Sequence, residues 1–176
     1  MTHAVVRTDN MFGTDNRSGL VSIKYITEEQ QSETTVKVEN EIENGNVLKV
    51  GALMEGEREI FEGSAVAATD DLSEVVLVAS PEVMYDERLR NLDDFINEAG
   101  KPARGYRLHN GDLFSVTIEA LDGSGDPAVG DIVELKAGTK LHYAASATAS
   151  TTQVGKIIAI ENAGRYTYYV IHVKMD

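Results

Sequence analysis

The chain of 176 residues contains no cysteine, no tryptophan and only three prolines. Without cysteine there are no disulfide bonds and no thiolate metal ligands, so the fold is expected to form without covalent cross-links. No apolar run approaches the roughly 20 residues that a membrane-spanning helix needs, and the first residues lack the pattern of a signal peptide. We therefore expect a protein that folds in a reducing cytoplasm, does not enter a membrane and is not exported by a classical route.

Basic residues are also scarce. The chain has 16 Lys and Arg against 29 Asp and Glu, which gives a formal net charge of -13. Nucleic-acid binding draws most of its affinity from basic side chains that neutralise phosphates, so this composition predicts no nucleic-acid partner. The acidic excess is densest between Glu28 and Glu62 and predicts a strongly solvated surface.

Residue patterns that carry chemistry are sparse. The four histidines (His3, His109, His142 and His172) are far apart in sequence, and no two have the spacing of a helical metal pair. Residues 122–126 resemble a calcium loop only faintly, because the remaining ligands and the terminal Glu are missing. Paired carboxylates occur by chance in so acidic a chain. We predict no catalytic residue, no metal site and no cofactor, and therefore not an enzyme.

What the chain does contain is a series of short alternating segments separated by turn signals, which is typical of β-sandwiches and small barrels. Residues 73–79 are almost continuously apolar, which predicts a strand buried on both faces. We predict a mainly β fold, a compact sandwich or small barrel of short antiparallel strands. The predicted strands cover residues 20–26, 34–38, 47–50, 58–62, 73–79, 105–108, 113–118, 131–135, 140–144, 155–161 and 166–173.

One segment has helical periodicity. An apolar stripe recurs at three- and four-residue steps, and Asp86 before it and Gly100 after it are residues that start and stop helices. The sequence therefore predicts an α-helix over about residues 87–99. The stripe consists of Leu89, Leu92, Phe95, Ile96 and Ala99.

Two segments depart from this pattern. Residues 1–18 carry scattered polar residues and isolated apolar ones, which predicts an extended N-terminal arm that a partner orders. Residues 19–176 are then a single β-rich domain. Residues 144–152 are small and low in complexity, and two interpretations remain: an exposed loop or a surface that a neighbouring subunit approaches closely.

Several strand-and-turn segments form a further pattern between about residues 35 and 175. The segments are residues 43–45 with Val47, 50–53 and 56–59, residues 78–83 with 92–95, residues 103–108 with 111–112, and residues 129–131 with 155–158. Together they resemble segments of decoration (head stabilisation or auxiliary capsid) proteins of tailed bacteriophages. This resemblance implies a structural protein on the outer surface of an icosahedral shell, where it binds the major capsid protein and reinforces contacts between its subunits.

The same resemblance implies a location in the virion after synthesis in the host bacterial cytoplasm. Such proteins are commonly trimeric or monomeric and join the shell after it expands. We expect self-association as a trimer.

The arm and the first predicted strand are the candidate capsid contact. Residues 20–26 have the pattern of a strand able to join the edge of a sheet on the shell, and the few cations nearby suit acidic capsid loops. The predicted partner-binding residues are Arg7, Arg17, Leu20, Ile23, Lys24 and Tyr25.

Two other functions remain open from the sequence. One is a phage tail, adaptor or receptor-binding module, which would be present at one vertex or at the tail. The other is a β-rich enzyme acting on a polymer, which would need a cleft with carboxylates of perturbed pKa.

Overall fold

The computed structural model of the protein describes residues 2–86, 88–89 and 91–174, which form two β-sheets around shared cores. The predicted mainly β fold is confirmed. In chain order the strands are β1 (Val6–Asn10), β2 (Leu20–Gln31), β3 (Thr34–Asn40), β4 (Val47–Leu53), β5 (Ile60–Ser64), β6 (Val75–Val78), β7 (Ala103–Arg107), β8 (Leu113–Val116), β9 (Leu121–Asp122), β10 (Ile132–Glu134), β11 (Leu141–Ala144), β12 (Gln153–Ala163) and β13 (Tyr166–Val173).

Each predicted strand overlaps an observed one, with shifts of a few residues at the ends. The first sheet has the order β1-β8-β13-β12-β10-β11-β9, and the second has the order β3-β2-β5-β4-β6-β7. Because β2 also pairs with β7, five strands of the second sheet close into a small barrel, with β3 attached outside it. Most pairings are antiparallel as predicted, but β2 runs parallel to β5 and β11 runs parallel to β9.

Strand β6 lies between two hydrophobic cores. Val75 and Leu77 belong to the larger core, which the two sheets share. Val76 and Val78 point the other way, into the interior of the barrel. Side chains alternate across a strand, so a strand buried on both faces must be apolar at every position. The burial predicted for this segment is therefore confirmed.

The barrel interior is narrow enough to require glycine at two positions. A Cβ atom on Gly63 would lie 2.7 Å from the side chain of Ile23, and one on Gly105 would lie 2.9 Å from Cγ2 of Val76. Both distances are shorter than carbon atoms tolerate, so the missing side chains let β5 and β7 approach the centre of the barrel.

The predicted position of the helix is wrong. The described residues between 88 and 99 contain a 3₁₀ turn (Leu92–Asp94) and an isolated β-bridge from Asn97 to Ile42, but no α-helix. Glu87 and Arg90 of the predicted helix lie outside the described residues. Leu89 and Leu92 are 46% and 41% exposed. Long-range hydrogen bonds replace the helix: Asp93 and Asn97 are buried, and each binds groups from distant strands or loops.

The helix that the structure does contain, α1 (Phe12–Asp15), lies in the segment predicted to be an arm. Strand β1 in the same segment pairs with β8. Ala4, Val5 and Met11 are each 1% exposed. The described residues of the segment 1–18 therefore find their contacts within the chain, which corrects the prediction of an arm ordered by a partner.

A substitution tests this correction. We expect Met11→Ala to lower the free energy of unfolding by about 2–5 kcal/mol, because it removes a fully buried side chain and leaves a cavity. The measurement is chemical unfolding of the isolated chain, with Asp15→Ala, an exposed position nearby, as the control. If Met11→Ala unfolds like the control, the segment does not contribute to the core.

Candidate protein-binding surface

The most exposed regular structure is the hairpin of β2 and β3. Strand β2 has 12 residues, and its first part pairs with β7 on one side and with β5 on the other. The pairing with β5 ends at Tyr25 opposite Gly63, and β5 then turns away so that Val66 bonds to Gly138. Beyond this point β3 is the only described strand that pairs with β2, so residues 26–39 project from the barrel as a two-stranded ribbon.

The register of the ribbon determines which backbone groups are open. Ser32 and Glu33 form a two-residue turn with Ser32 at φ 60°, and the pair Gln31 and Thr34 closes it. Residues that flank a two-residue turn exchange hydrogen bonds, and the alternation of an antiparallel ladder then assigns every second residue to the same side. Glu28 and Gln30 therefore direct their N–H and C=O groups away from β3, towards the open edge.

A groove of about 370 Å³ lies beside this open edge, at the base of the ribbon. One wall is β2 itself, and the other is the end of β5 and the residues after it. The floor between these walls is formed by small residues. These small residues are Gly51, Gly63, Ser64 and Ala65.

Two ion pairs hold the ribbon on the barrel. Lys37 Nζ lies 2.7 Å and 2.8 Å from the two carboxylate oxygens of Glu62 on β5. Lys24 Nζ lies 3.1 Å from Oε1 of Glu39. The hydrogen bonds that Lys37 donates to Glu62 raise the pKa of Lys37, and the negative charges of Glu62, Glu28 and Glu55 add to this effect. The groove is thus lined by two carboxylates, those of Glu28 and Glu62, and by the ammonium group of Lys37.

The structure separates the predicted partner-binding residues. Arg7 donates a hydrogen bond of 2.7 Å to Glu161 and one of 3.2 Å to Ser115, and its guanidinium lies 4.0 Å from the centre of the Tyr168 ring. Lys24 is paired with Glu39. Both cations are therefore used inside the chain.

The other four predicted residues differ in accessibility. Ile23 is completely buried inside the barrel, so its prediction as a partner contact is corrected. Tyr25 is half-buried against the barrel core and lines the groove. Arg17 and Leu20 are exposed at the start of β2. Strand β7 pairs with residues 20–23, β5 pairs with residues 22–25, and β3 pairs with β2 from Tyr25 onwards, so β2 has no open edge between Ser22 and Tyr25.

Sequence reasoning missed the second half of β2. The predicted strands 20–26 and 34–38 leave out residues 27–33, although these residues contain no glycine, proline or asparagine to form a loop. That absence, together with the alternating Thr34–Val38 segment after it, was the available signal for a solvent-exposed hairpin.

Another cluster centres on the buried carboxylate of Glu134. It accepts hydrogen bonds from the Thr148 amide at 3.0 Å, from Thr151 Oγ1 at 2.7 Å and from the His142 ring at 3.2 Å. Burial raises the pKa of the Glu134 carboxyl, but these hydrogen bonds outweigh burial and lower the pKa. The carboxylate therefore stays ionised and anchors the loop of small residues at 144–152, instead of acting as an acid near neutral pH.

The described residues contain no cluster of three or more His, Asp or Glu side chains that is able to hold a metal ion. Over the same part of the chain, no helix is long and apolar enough to cross a membrane. Neither the comparison with protein-family models nor those with curated proteins and solved structures found a match.

Amide hydrogen exchange tests the open edge. We expect the amides of Glu28 and Gln30 to exchange rapidly and those of Thr27 and Glu29 slowly, because only the latter pair bond to β3. Lys24 has the same orientation as Glu28 but lies beside β5, so its amide is the internal control and is expected to be protected. Equal protection along residues 27–30 would mean that the edge is covered.

The anchor at Glu134 gives a second test. We expect Glu134→Gln to lower the free energy of unfolding by about 1–3 kcal/mol, because charged hydrogen bonds are lost at a buried site. The lowered pKa means that this contribution is present at neutral pH and is lost as the pH falls below the usual range of glutamate. Unfolding of the wild type, of this variant and of the exposed control Glu29→Gln is measured against pH. A pH profile unchanged by Glu134→Gln would contradict the anchor.

Proposed function

We propose that the protein is a structural decoration protein of a tailed-bacteriophage head. It binds the outer surface of the icosahedral capsid and reinforces contacts between major capsid subunits. The observation that carries the proposal is the β2–β3 ribbon, whose backbone is open along one edge and whose base is fixed to a closed barrel. Such a feature suits recognition of other proteins, because added strands gain main-chain hydrogen bonds.

The sequence resemblance gives the proposal its specific partner. Two segments that carry the resemblance, residues 43–45 and 78–83, meet in the fold. The Asn44 side chain accepts a hydrogen bond from the Ser80 amide at 3.0 Å and donates one to the Ser80 carbonyl at 2.8 Å. This contact supports interpreting the two segments as parts of one structural unit, not as isolated turns.

The charge of the chain supports the proposed location. A protein with a net charge of -13 is repelled by packaged DNA and is better suited to the outer face of a shell than to its interior. Each copy that binds across a contact between capsid subunits needs only modest affinity, because many identical copies act in parallel on a lattice. Self-association as a trimer would match a symmetric set of capsid sites.

The test is incubation of the purified protein with expanded, undecorated phage shells, followed by sedimentation and image reconstruction. We expect many copies spread over the shell and a higher temperature of shell disruption. Copies confined to one vertex or to the tail would favour an adaptor or receptor-binding module. No uptake by any shell would remove the proposal.

A variant with a shortened ribbon links the proposal to the structure. Residues 28–37 are replaced by Asn-Gly, which joins Thr27 to Val38, a pair able to flank a two-residue turn. We expect the variant to stay folded and to lose most of its binding to shells. Lys37→Met, which removes only the ion pair with Glu62, is the control and is expected to bind. Full binding by the shortened variant would place the contact elsewhere.

A further inference from the structure

We infer that the open edge of β2 is a docking site for a basic, extended segment of another protein, which joins the sheet as a strand. This inference goes beyond the proposed function, because it holds for any partner that presents such a segment.

The backbone defines the shape of the occupant. Glu28 and Gln30 present donors and acceptors at the spacing of a strand, along an edge that extends from Ile26 to Gln31. At the rise of a β-strand, this edge is about 20 Å long and matches a segment of about six residues. An extended segment pairs with such groups, whereas a helix has no free backbone groups to offer.

The added segment would continue the position in the sheet that a strand of the barrel already occupies. Strand β5 occupies the position next to β2 as far as Gly63 and then leaves it. The groove begins at this point, and its floor of small residues leaves room for the side chains of an added strand. The incoming segment would therefore lie in line with β5, between the ribbon and residues 64–65.

Charge defines the chemistry of the occupant. Glu28 and Glu62 line the groove, and Glu55 is close enough for its charge to act on Lys37. Two carboxylates, those of Glu28 and Glu62, against the single ammonium group of Lys37 leave the lining of the groove with a net negative charge. Lysine or arginine at alternate positions of the added strand would meet Glu28 and Glu62 on the groove face, because side chains alternate across a strand.

The same charges disfavour a second copy of this chain as the occupant. Pairing two β2 edges would place the Glu28 carboxylates of both copies near each other, and like charges on neighbouring strands destabilise the pairing. Charged residues on an exposed edge are a common device against such self-association.

The experiment uses the full chain at low ionic strength and two blocked hexapeptides, one of alternating Lys and Val and one of alternating Glu and Val. We expect the Lys-Val peptide to shift the amide signals of Glu28, Gln30, Ser64 and Ala65 and to slow hydrogen exchange at Glu28 and Gln30. The Glu-Val peptide is expected to bind at least about tenfold more weakly, because its charges have the same sign as those of the groove and are repelled by them.

Three variants distinguish the contribution of backbone hydrogen bonds to peptide binding from the contribution of charge. Gln30→Pro removes one N–H from the open edge without touching the bonds to β3 and is expected to weaken binding by about fivefold, the value of one hydrogen bond. Glu28→Lys reverses a charge on the groove face and is expected to weaken binding by a similar factor. Glu29→Lys, the matched control on the opposite face, is expected to have a smaller effect.

Several outcomes would overturn the inference. Equal affinity for the two peptides, or equal effects of Glu28→Lys and Glu29→Lys, would remove the role of charge. Signal shifts confined to other edges would place the docking site elsewhere. Protection of Glu28 and Gln30 that rises with protein concentration in the absence of peptide would identify a second copy as the occupant. None of these measurements involves a shell, so failure here and failure of the proposed function are distinguishable.

Discussion

The architecture depends on the double burial of β6. Its four residues supply side chains alternately to the core shared by the two sheets and to the interior of the barrel, so this one strand joins the two cores. Strands β4 and β7 pair with β6 on either side, and their side chains are likewise divided between the two cores. A buried polar contact just beyond β6 strengthens the junction, since Asn97 donates a hydrogen bond of 3.0 Å to Asn44, which in turn binds Ser80.

The closure of the barrel also explains the ribbon. Closing a barrel of five strands uses only the first half of β2, because β5 and β7 are short and end near Tyr25. The second half of β2 therefore extends past the rim, with only β3 beside it. Such a ribbon would be marginal alone, but its base is continuous with a packed barrel and is held by the ion pairs of Lys24 and Lys37.

Buried carboxylates, which are candidates for catalysis or metal binding when only the sequence is known, serve here to hold parts of the fold together. Asp93 accepts hydrogen bonds from the Tyr166 hydroxyl at 2.7 Å and from Arg165 at 2.5 Å, which ties the long loop before β7 to the β12–β13 hairpin. Asp112 accepts the amides of Phe12 and His109. Both carboxylates have their oxygen atoms committed to donors within the chain, as Glu134 does. The buried carboxylates are thus used within the chain, whereas the open edge of the ribbon lies on the surface of the molecule.

The amino-acid sequence by itself determined the β class, the approximate positions of most strands and the two-sided burial of β6, because alternation and turn residues are local properties. It did not determine which strands pair, and so it revealed neither the closed barrel nor the open edge at Glu28 and Gln30. The helical periodicity around Leu92 was overridden because Asp93 and Asn97 gain hydrogen bonds to distant residues, which no local pattern records. Arg7 likewise appeared to be a free cation until the fold placed Glu161 and Tyr168 beside it. Only the tertiary structure decides these features, since each depends on residues that lie far apart in the chain.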